Sequence, residues 1–295
     1  MRNKTMRDVE SMLDDNGYDY SEFTGCFDIA ARKQLPTENI LLLKVLENVD
    51  SFMDDQANNL SIVAGSIDAN AMLVGNKTRT EKLQDNVIYE RFGVSTVNIN
   101  TLELILDGNI PKILRLRGGL FAEVNHEMLQ TARTAAGLTQ DGLAKMAGVT
   151  KKSIYEHESR QMKMQLNVAE KLEAILDADL MQPISLLSEP LSYNTPLGFE
   201  KKVSNDMEKI GMGTKTVYKT PFNIIAEIDS SLIFSDAEAN INKAKKNAPN
   251  IAAFAEVTKK FGLAVTKDDI SLDIPSITEE RLRKMHPSDI KKMLK

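Results

Sequence analysis

The sequence predicts an α+β chain of several parts, with an all-α domain of five helices flanked by an N-terminal and a C-terminal α/β domain. Three observations predict it. Residues 126–187 carry apolar residues at helical spacing, punctuated by caps and glycines. The blocks on either side alternate short apolar runs of strand length with helical runs. Turn-rich stretches, Asp107-Gly108 and residues 188–198, separate the blocks. A chain of 295 residues also suits two or three domains. The expected division is 1–108 (α/β, for dimerisation or sensing), 109–125 (a connecting strand or hairpin), 126–187 (helical), 188–198 (linker) and 199–295 (α/β).

In the first block, ILLLKVL (40–46) and AMLVGNK (71–77) read as strands, the second ending in a Gly-Asn turn. Between them Val49, Phe52 and Met53 fall at helical spacing, followed by Leu60, Ile62, Val63 and Ile67. STVNI (95–99) reads as a third strand, and TLELIL (101–106) as a helix with Thr101 as its N-cap. The stretch 110–124 reads as extended, with Arg115 and Arg117 alternating with apolar neighbours and Gly118-Gly119 breaking it.

In the middle block Leu129 and Ala132 give a first helix its apolar face, and Gly137 ends it. Thr139 caps a second helix, in which Leu143 and Ala144 point inward. Gly148 makes a turn, and Thr150 caps a third helix containing Ile154. Val168, Leu172, Ile175 and Leu176 form the stripe of a fourth. Two short helices separated by Ala147-Gly148-Val149 can cross steeply, because only small residues stand at the crossing.

In the last block PFNIIAEI (221–228) and GLAVTKD (262–268) read as strands. SDAEANINKAKKN and NIAAFAEVTKKF read as two helices broken at Asn247-Ala248-Pro249-Asn250. The outer blocks also resemble each other. NLSIVAGSIDANAMLVGNK, from residue 59, matches NIAAFAEVTKKFGLAVTKD, from residue 250, in its order of patterns. An internal duplication of α/β units is one explanation. Chance recurrence of that order in α/β folds is the other.

Composition narrows the function. No apolar run reaches the length of a membrane span, and the N-terminal stretch has no signal-peptide core, so a cytoplasmic protein without membrane contact is expected. A single cysteine, Cys26, excludes an internal disulfide. His126, His157 and His286 lack ligand spacing, so no metal and no cofactor is expected. The net charge is −5, but it is unevenly spread. Residues 1–108 hold 10 basic against 18 acidic groups, whereas residues 109–163 hold 9 against 5. Attraction to phosphate depends on the local field, so the middle block is the candidate for nucleic acid.

AGLTQDGLAKMAGVTKKSIYEHE resembles the Cro/C1 phage-repressor (XRE-type) helix-turn-helix domain. LLLKVLENVDSF, VIYERFGVSTVNINTLE and LRGGLFAEV resemble an archaeal family of HTH-type transcriptional regulatory proteins over residues 40–187. The resemblance implies double-stranded DNA as partner, a homodimer, and a third helix that reads the major groove. It implies base-facing roles for Lys151, Lys152 and Glu156, with Thr150, Ser153 and Tyr155 on the same surface, and a phosphate contact for Gln140. Lysine can donate to guanine and glutamate can accept from cytosine. A solvated surface is the bland alternative for Lys151 and Lys152, and more so for Glu156. Arg133 and Glu158 match a structural ion pair that ties the first helix to the third. Arg160 stands where the family often has Gly, and His157 where an apolar residue is usual, so His157 is read as packed.

Three enzyme-like signals stand in the sequence, and none makes the chain an expected enzyme. The first block resembles a restriction-endonuclease-like core, a nuclease that would need Mg²⁺. Asp28 and Lys44 fill two of its roles, but Leu42 stands where the second carboxylate belongs. A degenerate core used for dimerisation or sensing is the expectation. GMGTK (211–215) lacks the Walker spacing, and a lone RGG (117–119) reads as a turn. A protein-binding use of the Cro-like helices is the remaining alternative. The sequence does not identify a small-molecule effector.

Overall fold

The computed structural model describes residues 4–34, 38–186, 188 and 190–294. In chain order the elements are α1 (Lys4–Asp15), β1 (Asp19–Glu22), β2 (Ile29–Lys33), β3 (Asn39–Val45), α2 (Asp54–Ser66), β4 (Asn70–Val74), β5 (Ile88–Arg91), β6 (Val94–Val97), α3 (Ile99–Leu106), β7 (Ile113–Leu116) and β8 (Gly119–Val124). There follow α4 (His126–Ala135), α5 (Gln140–Ala147), α6 (Lys151–Ser159), β9 (Lys163–Gln165), α7 (Leu166–Leu176), β10 (Met181–Gln182), α8 (Gly198–Lys209), β11 (Gly213–Thr216), β12 (Ile224–Ile228) and β13 (Ser231–Glu238). The last are α9 (Ile241–Thr258), β14 (Phe261–Thr266), β15 (Ser276–Thr278), α10 (Glu279–Leu282) and α11 (Pro287–Met293).

The chain forms two compact units. The first comprises residues 1–79, 91–95 and 186–295, so both ends of the chain share it. The second comprises 80–90 and 96–185. The boundaries expected at 108 and 188 therefore do not coincide with these. The linker expected at 188–198 lies in the first unit, with Glu189 outside the described residues.

The first unit is built twice. Its first core runs α1-β1-β2-β3-α2-β4 and its second runs α8-β11-β12-β13-α9-β14. In both, the first three strands pair antiparallel and the crossover helix brings the fourth in parallel. The registers coincide: Ile29 faces Leu43 as Ile224 faces Ser235, and Leu43 faces Met72 as Ser235 faces Leu263. Irregular features repeat as well. Gly17 and Gly211, after the first helix of each core, both have positive φ, and the next residues, Tyr18 and Met212, donate back to Leu13 and Met207. Asp68 and Lys259 both have φ 53° at the end of the crossover helix. The duplication matches the alignment of residue 59 with residue 250. Its strands are offset from those the sequence suggested, however, since ILLLKVL corresponds to β13 and not to PFNIIAEI.

The two cores pack reciprocally, as the halves of an isologous pair do. Ser66 of α2 accepts from Lys215 Nζ of β11 at 3.2 Å, and the equivalent residues of α9 and β1 adjoin in turn. Phe254 of α9 meets Phe27 at 5.3 Å and the equivalent Phe222 at 5.0 Å. Where the cores meet, Cys26 N–H donates to Lys219 O at 2.7 Å. Gly25, at φ 142°, permits that approach, since a Cβ there would lie 1.9 Å from the same oxygen.

The second unit corrects the expected all-α five-helix domain. The described residues of 126–187 hold four helices, α4–α7, together with strands β9 and β10. Both strands pair antiparallel with β8, the second strand of the β7–β8 hairpin that turns at Arg117-Gly118. The helices and the hairpin share one core, with Ala122 and Val124 packing among Leu129, Leu143, Ile154, Ala169 and Leu172. The physical reason is length: strands of three and two residues carry no readable periodicity. The flanking parts are likewise not separate N- and C-terminal domains but the two cores of one unit.

Two local readings also change. Asn98, not Thr101, caps α3, its side chain accepting from Thr101 N–H. The two helices expected around Pro249 are one, α9, which starts only after β13 has taken up Ser235–Glu238. Ala244, Ala248, Ile251 and Ala255 form a buried stripe straight through Pro249, and their burial outweighs the lost backbone bond.

Candidate nucleic-acid interface

The helix pair α5–α6 is set by its own caps. Thr139 Oγ1 accepts from Gly142 N–H at 3.0 Å, and Thr150 Oγ1 from Ser153 N–H at 3.1 Å. Gly148, at φ 74°, ends α5 in the left-handed conformation, and the chain turns directly into α6. Leu143, Ala144, Ala147 and Ile154 are buried where the helices meet.

A bidentate ion pair locks α4 to α6. Arg133 Nε and Nη2 donate to the two carboxylate oxygens of Glu158 at 2.5 and 3.1 Å, and Nη1 donates to Leu138 O at 2.7 Å. Donating these hydrogen bonds to the Glu158 carboxylate raises the Arg133 pKa. Gln140 Nε2 donates to Glu158 Oε2 at 2.8 Å. The Gln140 amide nitrogen is thus part of this lock, a partnership that sequence reasoning missed.

Of the other residues singled out, Lys152 and Glu156 stand two positions either side of Ile154, on the far side of α6 from it. Lys151, Lys152 and Tyr155 are exposed, and Ser153 and Glu156 are half-buried. Lys152 Nζ lies 3.8 Å from Glu156, at i,i+4, with 82% of the lysine side chain exposed. That exposure leaves its charge available to a polyanion. Thr150 serves as cap, with its Oγ1 already accepting from the backbone. His157 is half-buried. Burial lowers its pKa and neighbouring Glu156 partly opposes this. No helix among the described residues is long and apolar enough to cross a membrane.

The restriction-endonuclease-like positions lie in the first core. Asp28 precedes β2, and its Oδ2 accepts from Val45 N–H at 2.8 Å. Its Oδ1 accepts from Lys44 Nζ at 2.9 Å, and Lys44 also donates to Gly25 O at 2.9 Å. Leu42 is fully buried. A lysine already bonded to the one carboxylate, beside a buried leucine, is not a donor set for Mg²⁺, which needs oxygen ligands. Among the described residues no group of three or more His, Cys, Asp or Glu could hold a metal ion. Cys26 is buried, and burial pushes its thiol up to about 12, far from a reactive thiolate.

The PD-(D/E)XK superfamily domain family matches residues 2–111. The full chain is similar to proteins named "Putative HTH-type transcriptional regulatory protein". That of Pyrococcus furiosus is 32% identical, over 95% of this chain and 93% of its own length. That of Thermococcus kodakarensis is 29% identical, over 98% and 93%. That of Thermococcus gammatolerans is 30% identical, over 90% and 86%. No solved structure matches the chain.

Proposed function

The chain belongs to the family of archaeal HTH-type transcriptional regulatory proteins, and from that premise we propose that it is a transcriptional regulator binding double-stranded DNA sequence-specifically. α5 and α6 act as a Cro/C1-type helix-turn-helix, and the N-terminal half of α6 enters the major groove. The observation that carries this reading is the exposed surface of Lys151, Lys152 and Tyr155 on a helix held by Arg133, Gln140 and Glu158. Lysines there supply phosphate attraction and guanine contacts, and the lock holds them in place. The protein works in the cytoplasm, as a homodimer whose two α6 helices lie about 34 Å apart on one DNA face.

Selection of bound fragments from random DNA tests this. An enriched palindrome is expected. An enriched asymmetric site would keep the regulator but replace the homodimer with a single chain, whose two cores are already paired. No enriched site would leave the helices as a protein-binding surface.

The PD-(D/E)XK match gives the nuclease alternative its one specific support. The Asp28–Lys44 bond and Leu42 argue for a scaffold without catalysis, and the proposal is that the protein is not an enzyme. Mg²⁺-dependent cleavage of DNA by the wild type that Lys44→Ala abolishes would overturn this.

A further inference from the structure

The two cores differ most where the chain from the helical unit returns to the second core. Residues 193–196 line, together with α8 and β11, an open cleft of about 560 Å³. The segment is pinned. Asn194 Nδ2 donates to Asn59 Oδ1 at 2.8 Å and to Thr216 O at 2.9 Å, Ser192 N–H donates to Asn58 Oδ1 at 3.1 Å, and Tyr218 Oη donates to Thr195 O at 2.8 Å. A second cavity of about 330 Å³ shares the Tyr193 and Lys215 wall and reaches Ser61 and Ser188.

Three features of these two neighbouring cavities point to a ligand. Lys201 and Lys215 both line the larger one and form no ion pair with a described carboxylate. Tyr193 is 66% exposed, with Lys215 Nζ 6.0 Å from its ring centroid, so an anionic substituent on a ring laid against it comes within reach of the ammonium. The Ser61 and Ser188 hydroxyls are buried without a hydrogen-bond partner among the described residues, which is costly unless something bonds them. The first core has no counterpart: Ser21 stands at the register position of Lys215.

We infer that this pair of cavities binds a nucleoside monophosphate. The heterocycle lies on Tyr193, the phosphate sits between Lys201 and Lys215, and sugar hydroxyls or the ring edge bond Ser61 and Ser188. A ring supplies the planar face, the phosphate matches two lysines against the single carboxylate of Glu208, and the polar groups satisfy the serines.

The test is isothermal titration of the full-length protein with AMP, GMP, CMP and UMP, with adenosine and inorganic phosphate as comparisons. At least one monophosphate is expected to bind, about tenfold or more tighter than adenosine and than phosphate alone. Lys215→Met and Tyr193→Ala are each expected to weaken it about tenfold. Ser61→Ala should weaken it while leaving the melting temperature of the free protein unchanged or raised, which a purely structural serine would not do. Binding of none of the four overturns the inference. So does affinity unchanged by Lys215→Met and Tyr193→Ala, or phosphate binding as tightly as the nucleotides. None of these outcomes depends on DNA binding.

Discussion

The two cores of the first unit keep one bond from a backbone N–H to a side-chain oxygen and build different chemistry around it. In the first core the residue before β2 is Asp28, whose carboxylate accepts from Val45 N–H and uses its other oxygen to hold the buried Lys44 ammonium. In the second core the equivalent Asn223 accepts from Ala237 N–H at 2.9 Å and donates back to Ala237 O at 3.0 Å. The amide satisfies itself on the backbone, so no buried cation is needed. The position of Lys44 is then Asp236, an almost fully buried acid bonded by Asn247. The conserved element is the bond that fastens β2 to β3, or β12 to β13. The ionisable residue beside it varies.

The largest effect that breaks this comparison is expected from Asp28→Ala. It strands the Lys44 ammonium and the Val45 N–H together, so it should lower unfolding stability by about 3–5 kcal/mol. Asn223→Ala strands only neutral groups and should lose about 1–3 kcal/mol. Urea unfolding of both variants checks the difference, and equal losses would show that the charge on Asp28 does not matter to the fold.

How much of this was legible in sequence depends on burial pattern. β3 and β4 are apolar runs and read directly as strands. β13, SLIFSDAE, hides because Ser235 and Asp236 are polar yet buried, so its second half was read as helix. DYSE and IAARK, which form β1 and β2, have too few apolar residues to show a period. Pro249 masked the continuity of α9. The helices around Gly148 were legible from their caps and spacing, and the Arg133–Glu158 pair only from family resemblance. That Gln140 bonds Glu158 was not legible, because no local pattern encodes a contact across 18 residues.

The next effect sharpens the second core's side. Burial, with Glu238 and Glu200 adding repulsion against Asn247 and Lys243, raises Asp236 from the ordinary 3.8 to about 6. The folded state therefore binds this proton more readily than the unfolded chain, so stability should rise as pH falls through about 6, the gain completing near 3.8. That displacement corresponds to about 3 kcal/mol. Asp236→Asn should gain about that much at pH 7 and lose the pH dependence. A flat profile in the wild type would contradict the assignment.

A comparable effect belongs to the helical unit. Arg133→Ala leaves the Glu158 carboxylate, 3% exposed, with Gln140 as its one side-chain donor among the described residues. A loss of about 3–5 kcal/mol is expected, seen as an early unfolding transition of that unit. The smallest effect has the opposite pH sign to Asp236. Burial lowers the His157 pKa, so the unfolded chain binds the proton first and the helical unit should weaken as pH falls below 6.5. Hydrogen exchange between pH 7 and 5 should therefore show protection falling in α6 while it rises in β13. Parallel changes in both would merge two effects that the structure separates.

The central claim, that α6 reads DNA through its lysines, is tested most directly by the Lys151→Ala/Lys152→Ala variant. Its affinity for the selected site and the dependence of that affinity on salt are measured beside those of the wild type. The account predicts weaker binding, a shallower salt dependence by about one unit per lost phosphate contact, and an unchanged melting temperature. Equal affinity and equal salt dependence, with the fold intact, would remove these lysines from the DNA-reading surface.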